Sequence, residues 1–212
     1  MIKVAYCNID ELDLSKTYGL LPETRKNKVD NFKFEKDKKL SAGAYFLLDK
    51  LLKEECIENP IFEIGEFGKA YISNYENIYF NLSHSGKLVA CAISDREVGL
   101  DIELIDYSIE LDIAKNFFFN SEYKNIIKSK NPQDEFFRYW VLKESYMKYT
   151  GLGFNLDLDK FEIILDKEIR LKNDNDDLKF SLFDLNDYKL AVCAKSNVKD
   201  VIKYSVDDLF QI

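Results

Sequence analysis

Two short acidic segments about forty residues apart hold the side chains best suited to chemistry. The first is Val98-Gly99-Leu100-Asp101-Ile102-Glu103. It reads as a strand, and residues two apart on a strand point the same way. Asp101 and Glu103 therefore share a face while Ile102 turns to the core. The second is Trp140-Val141-Leu142-Lys143-Glu144-Ser145-Tyr146-Met147-Lys148. It reads as a helix on which Trp140, Glu144 and Lys148 step by four and line one stripe. Three carboxylates and a lysine that converge make a hard-cation site next to a phosphate. Magnesium suits carboxylate and phosphate oxygens and keeps some waters, and manganese accepts the same ligands.

Each spacing alone also has an ordinary reading. D-x-E marks many solvated strand faces, and Glu–Lys at i,i+4 is a common surface pair worth a few tenths of a kcal/mol. Trp140 in the same stripe speaks for burial, and buried charges need partners. A third segment, Phe80-Asn81-Leu82-Ser83-His84-Ser85, closes a predicted strand. His84 is the sole histidine, which excludes a histidine-rich zinc site. Alone it reads most simply as a hydrogen-bonded turn residue; flanked by Ser83 and Ser85 it belongs to a donor set that suits phosphate oxygens.

The elements that must position these residues are legible. The first strand spans 2–8. Residues 36–54 place Leu40, Ala44, Leu47, Leu48, Leu51 and Leu52 at helical spacing. Gly65 and Gly68 mark a turn. Strand-like runs follow at 77–82, 87–94 and 97–104, arranged as a meander. Asn131 before Pro132 marks a helix start, and Gly151 a stop, enclosing roughly 19 residues. Residues 160–166, 178–184, 189–195 and 201–205 read as strands. The Asn173–Asp177 run reads as a polar turn, since its spacing and flanks do not fit a calcium loop. The order is strand, long helix, strands, twice over. It predicts an α+β protein of two α/β halves, 1–97 and 98–212, with a concave site at the join.

With 212 residues, 46% of them apolar, 16 Phe and 13 Tyr, the chain has material for a sizeable core. A net charge of −8 argues against nucleic acid as the main partner, although lysines cluster between Lys26 and Lys39. The longest uncharged apolar stretch is too short to span a bilayer, and the acidic N-terminus lacks a signal-peptide core. These features predict a cytoplasmic protein with no membrane partner. Cys7, Cys91 and Cys193 lie in apolar runs and Cys56 does not; with no C-x-x-C or zinc spacing they read as thiols.

In order and spacing, the segments resemble the 4′-phosphopantetheinyl transferases, specifically the larger, surfactin-synthetase-activating type. The matching blocks are Gly68-Lys69-Ala70, Phe80 to Ser85, Gly99 to Glu103 and Trp140 to Ser145, with Ile113 to Phe118 and Ser121-Glu122-Tyr123 between the last two. Similarity runs from about Pro22 to the C-terminus. The resemblance implies a monomer whose halves are related by a pseudo-two-fold axis, with coenzyme A in the cleft. It implies transfer of the phosphopantetheine arm to a serine of an apo acyl or peptidyl carrier protein, releasing adenosine 3′,5′-bisphosphate.

Carried over by residue, Asp101, Glu103 and Glu144 would bind Mg²⁺, with Mn²⁺ as an alternative. Glu122 would act as, or position, the base for the carrier serine. Lys148 would sit on the diphosphate, Ser83 and His84 on coenzyme A phosphates, and Gly68, Lys69 and Ala70 beside the adenine. Lys26, Lys28, Lys38 and Lys39 are candidates for the 3′-phosphate. This chain departs from the family pattern at Ala70, where proline is usual, and in using lysines where arginine is frequent, which gives up the bidentate fork. The chain is acidic and so are typical carriers, so an apolar contact through Ile109, Leu111, Ile113 and Phe117 to Phe119 is expected, with at least one of the three phenylalanines in the core. Two rivals remain: a silent relative that holds coenzyme A or a carrier, and a Mg²⁺-dependent diphosphate hydrolase. The absence of G-x-x-x-x-G-K-[ST] removes the commonest nucleotide kinases.

Overall fold

The computed structural model describes residues 1–172 and 177–211. Most of the Asn173–Asp177 turn thus lies outside the described residues. The chain runs β1 (Ile2–Asn8), α1 (Leu14–Thr17), α2 (Glu23–Asp30), α3 (Glu35–Glu54), the hairpin β2 (Phe62–Ile64) and β3 (Ala70–Ile72), β4 (Tyr79–Ser85) and β5 (Leu88–Ser94). It continues through β6 (Val98–Leu104), α4 (Asp112–Phe117), α5 (Asn120–Lys128), α6 (Pro132–Thr150), the hairpin β7 (Ile163–Leu165) and β8 (Ile169–Leu171), β9 (Lys179–Leu185), β10 (Tyr188–Ala194) and β11 (Ile202–Tyr204). One sheet has the order β11-β1-β5-β4 and another β6-β10-β9. In each half a first strand, a long helix, a small hairpin and two antiparallel strands follow in the same order.

The long helices are where the apolar spacing predicts them. α3 buries Leu40, Ala44, Leu47, Leu48 and Leu51 in a cluster with Cys7, Val89, Cys91 and Ile93. α6 starts with Pro132 at its first turn and stops at Gly151, whose φ of 73° suits glycine. Its Phe136, Tyr139, Val141 and Leu142 pack with Ala191 and Cys193. Every residue of β5 is buried, because α3 covers one face and the second half the other. On that second side Val4, Ala90, Ala92, Leu100, Ile102, Leu190 and Val192 form a cluster drawn from both halves. A strand covered on both faces reads as a continuous apolar run, as LVACAIS does.

Besides β6, which pairs with β10 in the other sheet and not with β5 as the expected meander requires, two features depart from the pattern expected of the sequence. The Gly65–Gly68 turn joins a true hairpin, β2–β3. The run 160–166 supplies only β7, which pairs with an unanticipated β8. β11 pairs in parallel with β1, Leu209 enters the α3 core and the Phe210 ring meets Phe46 at 5.0 Å. The C-terminal residues 202–210 thus pack on the first half, where they cover the outer edge of β1. Among the described residues no helix is long and apolar enough to cross a membrane. Cys7, Cys91 and Cys193 are buried and Cys56 is exposed.

Candidate active site

The site begins with a glycine. A Cβ on Gly99 would lie 1.9 Å from the Ser145 carbonyl oxygen and 2.3 Å from the Tyr149 nitrogen. Only a residue without a side chain lets the α6 backbone lie this close to β6. That contact sets Asp101 and Glu103, on β6, against Glu144 and Lys148, one turn apart on α6. The other wall is β4, joined to β6 through side chains. Asn81 Oδ1 accepts from Leu100 N–H (3.0 Å), Ser83 Oγ from Ile102 N–H (3.3 Å) and Ser85 Oγ from Leu104 N–H (3.1 Å). Asn81 was not singled out from the sequence, and Ser85 was read as a phosphate donor rather than as a tie to β6; the signal was there in the short polar residues at every second position of Asn81-Leu82-Ser83-His84-Ser85.

At the centre, Lys148 Nζ donates to Asp101 Oδ1 (2.7 Å) and Ser83 Oγ (3.0 Å). The Ser83 hydroxyl donates to the same Oδ1 (2.8 Å), and the Ser85 hydroxyl to Glu103 Oε2 (2.6 Å). Asp101 is 2% exposed, and its Oδ2 is buried without a hydrogen-bond partner. Ser83, Asp101, Glu103 and Lys148, with His84, Trp140 and Glu144, line a cavity of about 310 Å³. Burial and the adjacent Asp101 charge push the Glu103 carboxyl up to about 7, against the pull of the Ser85 bond and Lys148. Burial, then Asp101, raises Glu144 as well. The His84 ring, exposed at its edge, is pushed down by burial first and then by Lys148. One ammonium among three carboxylates leaves excess negative charge, which a cation would relieve.

Among the described residues the carboxylates do not close into a ready-made cluster of three metal ligands. The donor set nevertheless suits a hard cation: oxygen ligands only, with Asp101 Oδ2 unpartnered.

A second cavity of about 550 Å³ adjoins the first through Leu82 and Lys148. Tyr45, Phe67 and Met147 contribute apolar wall, Gly68 a backbone at φ 88°, and Arg25 and Lys28 a cationic edge. The Arg25 guanidinium lies over the Tyr45 ring, 5.2 Å from its centroid. Apolar walls with a cationic edge fit a nucleoside that carries phosphate. Arg25, the lone arginine between Pro22 and Lys39, is not among the lysines expected at the 3′-phosphate. It supplies the fork that the lysines lack.

Residues 97–193 match the family model described as the 4′-phosphopantetheinyl transferase superfamily. That segment carries Asp101, Glu103, Glu144 and Lys148. Over that segment the chain is similar to the 4′-phosphopantetheinyl transferase superfamily. The chain is 37% identical over 141 residues to a curated 4′-phosphopantetheinyl transferase of Bacillus subtilis, covering 63% of this chain and 62% of that one. It is also 37% identical over 140 residues to 4′-phosphopantetheinyl transferase Sfp of Bacillus subtilis strain 168, with the same coverage. Against 4′-phosphopantetheinyl transferase gsp of Aneurinibacillus migulanus identity is 42% over 108 residues, covering 50% of this chain and 44% of that one. The chain thus spans about 62% of the length of the first two relatives.

Several of the residues expected at the site, Glu122 among them, are not among those lining either cavity. Glu122 is 1% exposed, and its oxygens accept from Phe119 N–H (2.9 Å), Ile163 N–H (2.7 Å) and Lys143 Nζ (2.9 Å). Lys143 is fully buried and also donates to the Leu158 and Phe161 carbonyls. Glu122 therefore pins the start of α5 to β7 and α6, and it is not among the residues lining either cavity. A buried carboxylate with both oxygens engaged is a poor proton acceptor for an outside hydroxyl.

Among the lysines, Lys28 lines the larger cavity. Lys26 turns to Glu23 at 2.7 Å. Lys39 lines a different cavity with Lys36 and Tyr188, and Lys38 is not among the lining residues of either site cavity. Ala70 lines the larger cavity, as does Lys69, whose ammonium is bound to Glu97 at 2.6 Å and to the Tyr149 carbonyl at 3.1 Å.

Proposed function

We propose that this protein transfers the 4′-phosphopantetheine arm of coenzyme A to a serine hydroxyl on an apo acyl or peptidyl carrier protein. The observation that carries the reading is the meeting, at Lys148, of a carboxylate-lined cavity and a nucleoside-sized cavity edged by Arg25 and Lys28. Such a pair suits a molecule with a diphosphate at one end of a phosphorylated nucleoside. In the reaction the serine oxygen forms a bond to the phosphorus bearing the pantetheine. The diphosphate P–O bond breaks, adenosine 3′,5′-bisphosphate leaves, and the proton given up by the serine hydroxyl passes to water or to the leaving phosphate.

Arg25 and Lys28 would hold the 3′-phosphate, and Gly68 would let the backbone approach the adenine. His84 would donate a ring N–H to a phosphate oxygen, beside the Ser83 hydroxyl. Lys148 would offset the charge that develops on the leaving phosphate. Asp101, Glu103 and Glu144 would hold a divalent cation, Mg²⁺ or Mn²⁺, which when bound supplies Lewis-acid stabilisation of the diphosphate. With Glu122 walled off, those three are the carboxylates that face the reaction centre.

For the carrier we propose the surface beside α4. Phe117 is 57% exposed and Tyr107 63%. Ile109, Leu111 and Ile113 are partly buried against the core, which Phe118 joins. An apolar landing site offsets the like charge of an acidic partner.

The test is the intact mass of an apo carrier after incubation with the protein, coenzyme A and Mg²⁺. A gain of one phosphopantetheine unit, lost with chelator, is the expected result. No gain across carriers of several classes despite coenzyme A binding would make this a silent relative. Release of the bisphosphate with no carrier present would make it a diphosphate hydrolase.

A further inference from the structure

The β2–β3 hairpin forms its own two-stranded sheet. Its base is anchored: Ile72 is buried, and the Phe62 ring meets Phe80 at 5.6 Å and Tyr45 at 6.5 Å. Its tip is a cantilever. Ile64 and Phe67 are exposed there. The nucleoside-sized cavity lies on one side, and a separate cavity of about 510 Å³, also lined by Lys69 and Ala70, on the other. Two-stranded hairpins are marginal in water, so a tip open on both faces needs a tie.

Lys69 provides one. Its Nζ donates to Glu97 Oε2 (2.6 Å), to the Tyr149 carbonyl (3.1 Å) and to the Val98 carbonyl (3.4 Å). Tyr149 follows Lys148 in the last turn of α6, where carbonyls lack helical partners and a cation is favoured. Val98 opens β6, the strand of Asp101 and Glu103. The fit is close: a Cβ on Gly151, which ends α6 at φ 73°, would meet Lys69 Cδ at 3.3 Å. One ammonium thus spans the tip that walls the nucleoside cavity and the two elements that carry the carboxylates.

We propose that Lys69 is a positioning residue, a latch that holds the hairpin tip against α6 and β6 and so sets affinity for the adenosine bisphosphate portion of coenzyme A, with Glu97 as its counter-charge. The identity of that ligand rests on the phosphopantetheinyl-transfer reading. With three partners already, the ammonium acts through the wall and does not itself bind the nucleotide.

The experiment compares Lys69→Met, Glu97→Gln and the double variant. Titration calorimetry gives the affinity for adenosine 3′,5′-bisphosphate, transfer kinetics give KM and kcat, and hydrogen exchange reads the Gly65 and Gly68 amides, which bond within the tip (2.8 and 2.9 Å). Lys69→Met should weaken the bisphosphate and raise KM for coenzyme A by about tenfold each, as loss of hydrogen bonds to a charged group implies. kcat should stay within about twofold and the tip amides should exchange faster. Glu97→Gln should weaken binding about threefold, and the double variant should be no worse than Lys69→Met, because the pair acts as one unit. Unchanged affinity in both single variants, a fall in kcat with unchanged KM, or additive losses would overturn the latch. Glu97 lies on the surface, so its variant carries the test if Lys69→Met does not fold. Absence of transfer by the unaltered protein would sink the transfer reading alone, since calorimetry and exchange still report on the latch.

Discussion

Replacing Gly99 with alanine tests the geometry on which the whole site depends. The added methyl would sit 1.9 Å from the Ser145 carbonyl oxygen, 2.3 Å from Tyr149 N and 2.9 Å from Tyr149 Cα. All three are backbone atoms of a helix, so no rotamer change relieves the clash. Real contacts of this kind begin near 3.0 Å, so α6 must retreat from β6 by about 1 Å. The 2.7 Å bond between Lys148 Nζ and Asp101 Oδ1 would then open past hydrogen-bond reach. Overpacking of this kind costs about 1–3 kcal/mol, or a melting shift of several degrees for a chain of this size. A displacement of about 1 Å at a reaction centre lowers the rate on the order of 100-fold. Carrier modification followed by intact mass at low temperature, where Gly99→Ala remains folded, separates rate from stability. If kcat/KM stays within about threefold of the unaltered protein and the melting temperature does not move, α6 does not hold the carboxylates as described.

Glu122→Gln should lower the denaturant midpoint by an amount worth about 3 kcal/mol, because it leaves the Lys143 ammonium buried without its counter-charge, while the folded protein keeps transferring within severalfold. A rate loss of more than 100-fold at unchanged stability would return Glu122 to the role of base. Arg25→Ala and Lys28→Ala should each raise KM for coenzyme A about tenfold and spare dephospho-coenzyme A, whereas Lys39→Ala should change neither; equal effects on both substrates would move the 3′-phosphate elsewhere. The Glu103 carboxyl, raised to about 7 from 4.5, contributes stability that is full below about pH 4.5 and lost as pH rises through about 7, at most about 3 kcal/mol. Denaturant titrations of the metal-free protein should show that decline, and Glu103→Gln should flatten it; parallel pH profiles would refute the shift. Trp140, the sole tryptophan, lines the carboxylate cavity, so Mg²⁺ should alter its fluorescence, and Asp101→Asn should abolish the response.

The sequence by itself determined the long elements and the order of the motifs. The apolar period of α3 and α6, the Pro132 start and the Gly151 stop are local signals, and local signals survive in one dimension. The strand spacing of Asp101 and Glu103 and the helical spacing of Glu144 and Lys148 likewise assigned each pair to one face before any packing was known. What the sequence did not carry was which faces meet and which charges are already engaged. Glu122 and Lys143 look as available in the string as Glu144 and Lys148. Burial and three competing bonds turn the first pair into a structural pin, while the second lines a cavity. Arg25 and the lysines from Lys26 to Lys39 form one basic run, yet α2 and α3 aim only Arg25 and Lys28 at the nucleoside-sized cavity. The return of β11 to β1 pairs residues about two hundred positions apart. Such choices rest on long-range contacts, whose energy depends on every element brought together, so only the tertiary structure decided them.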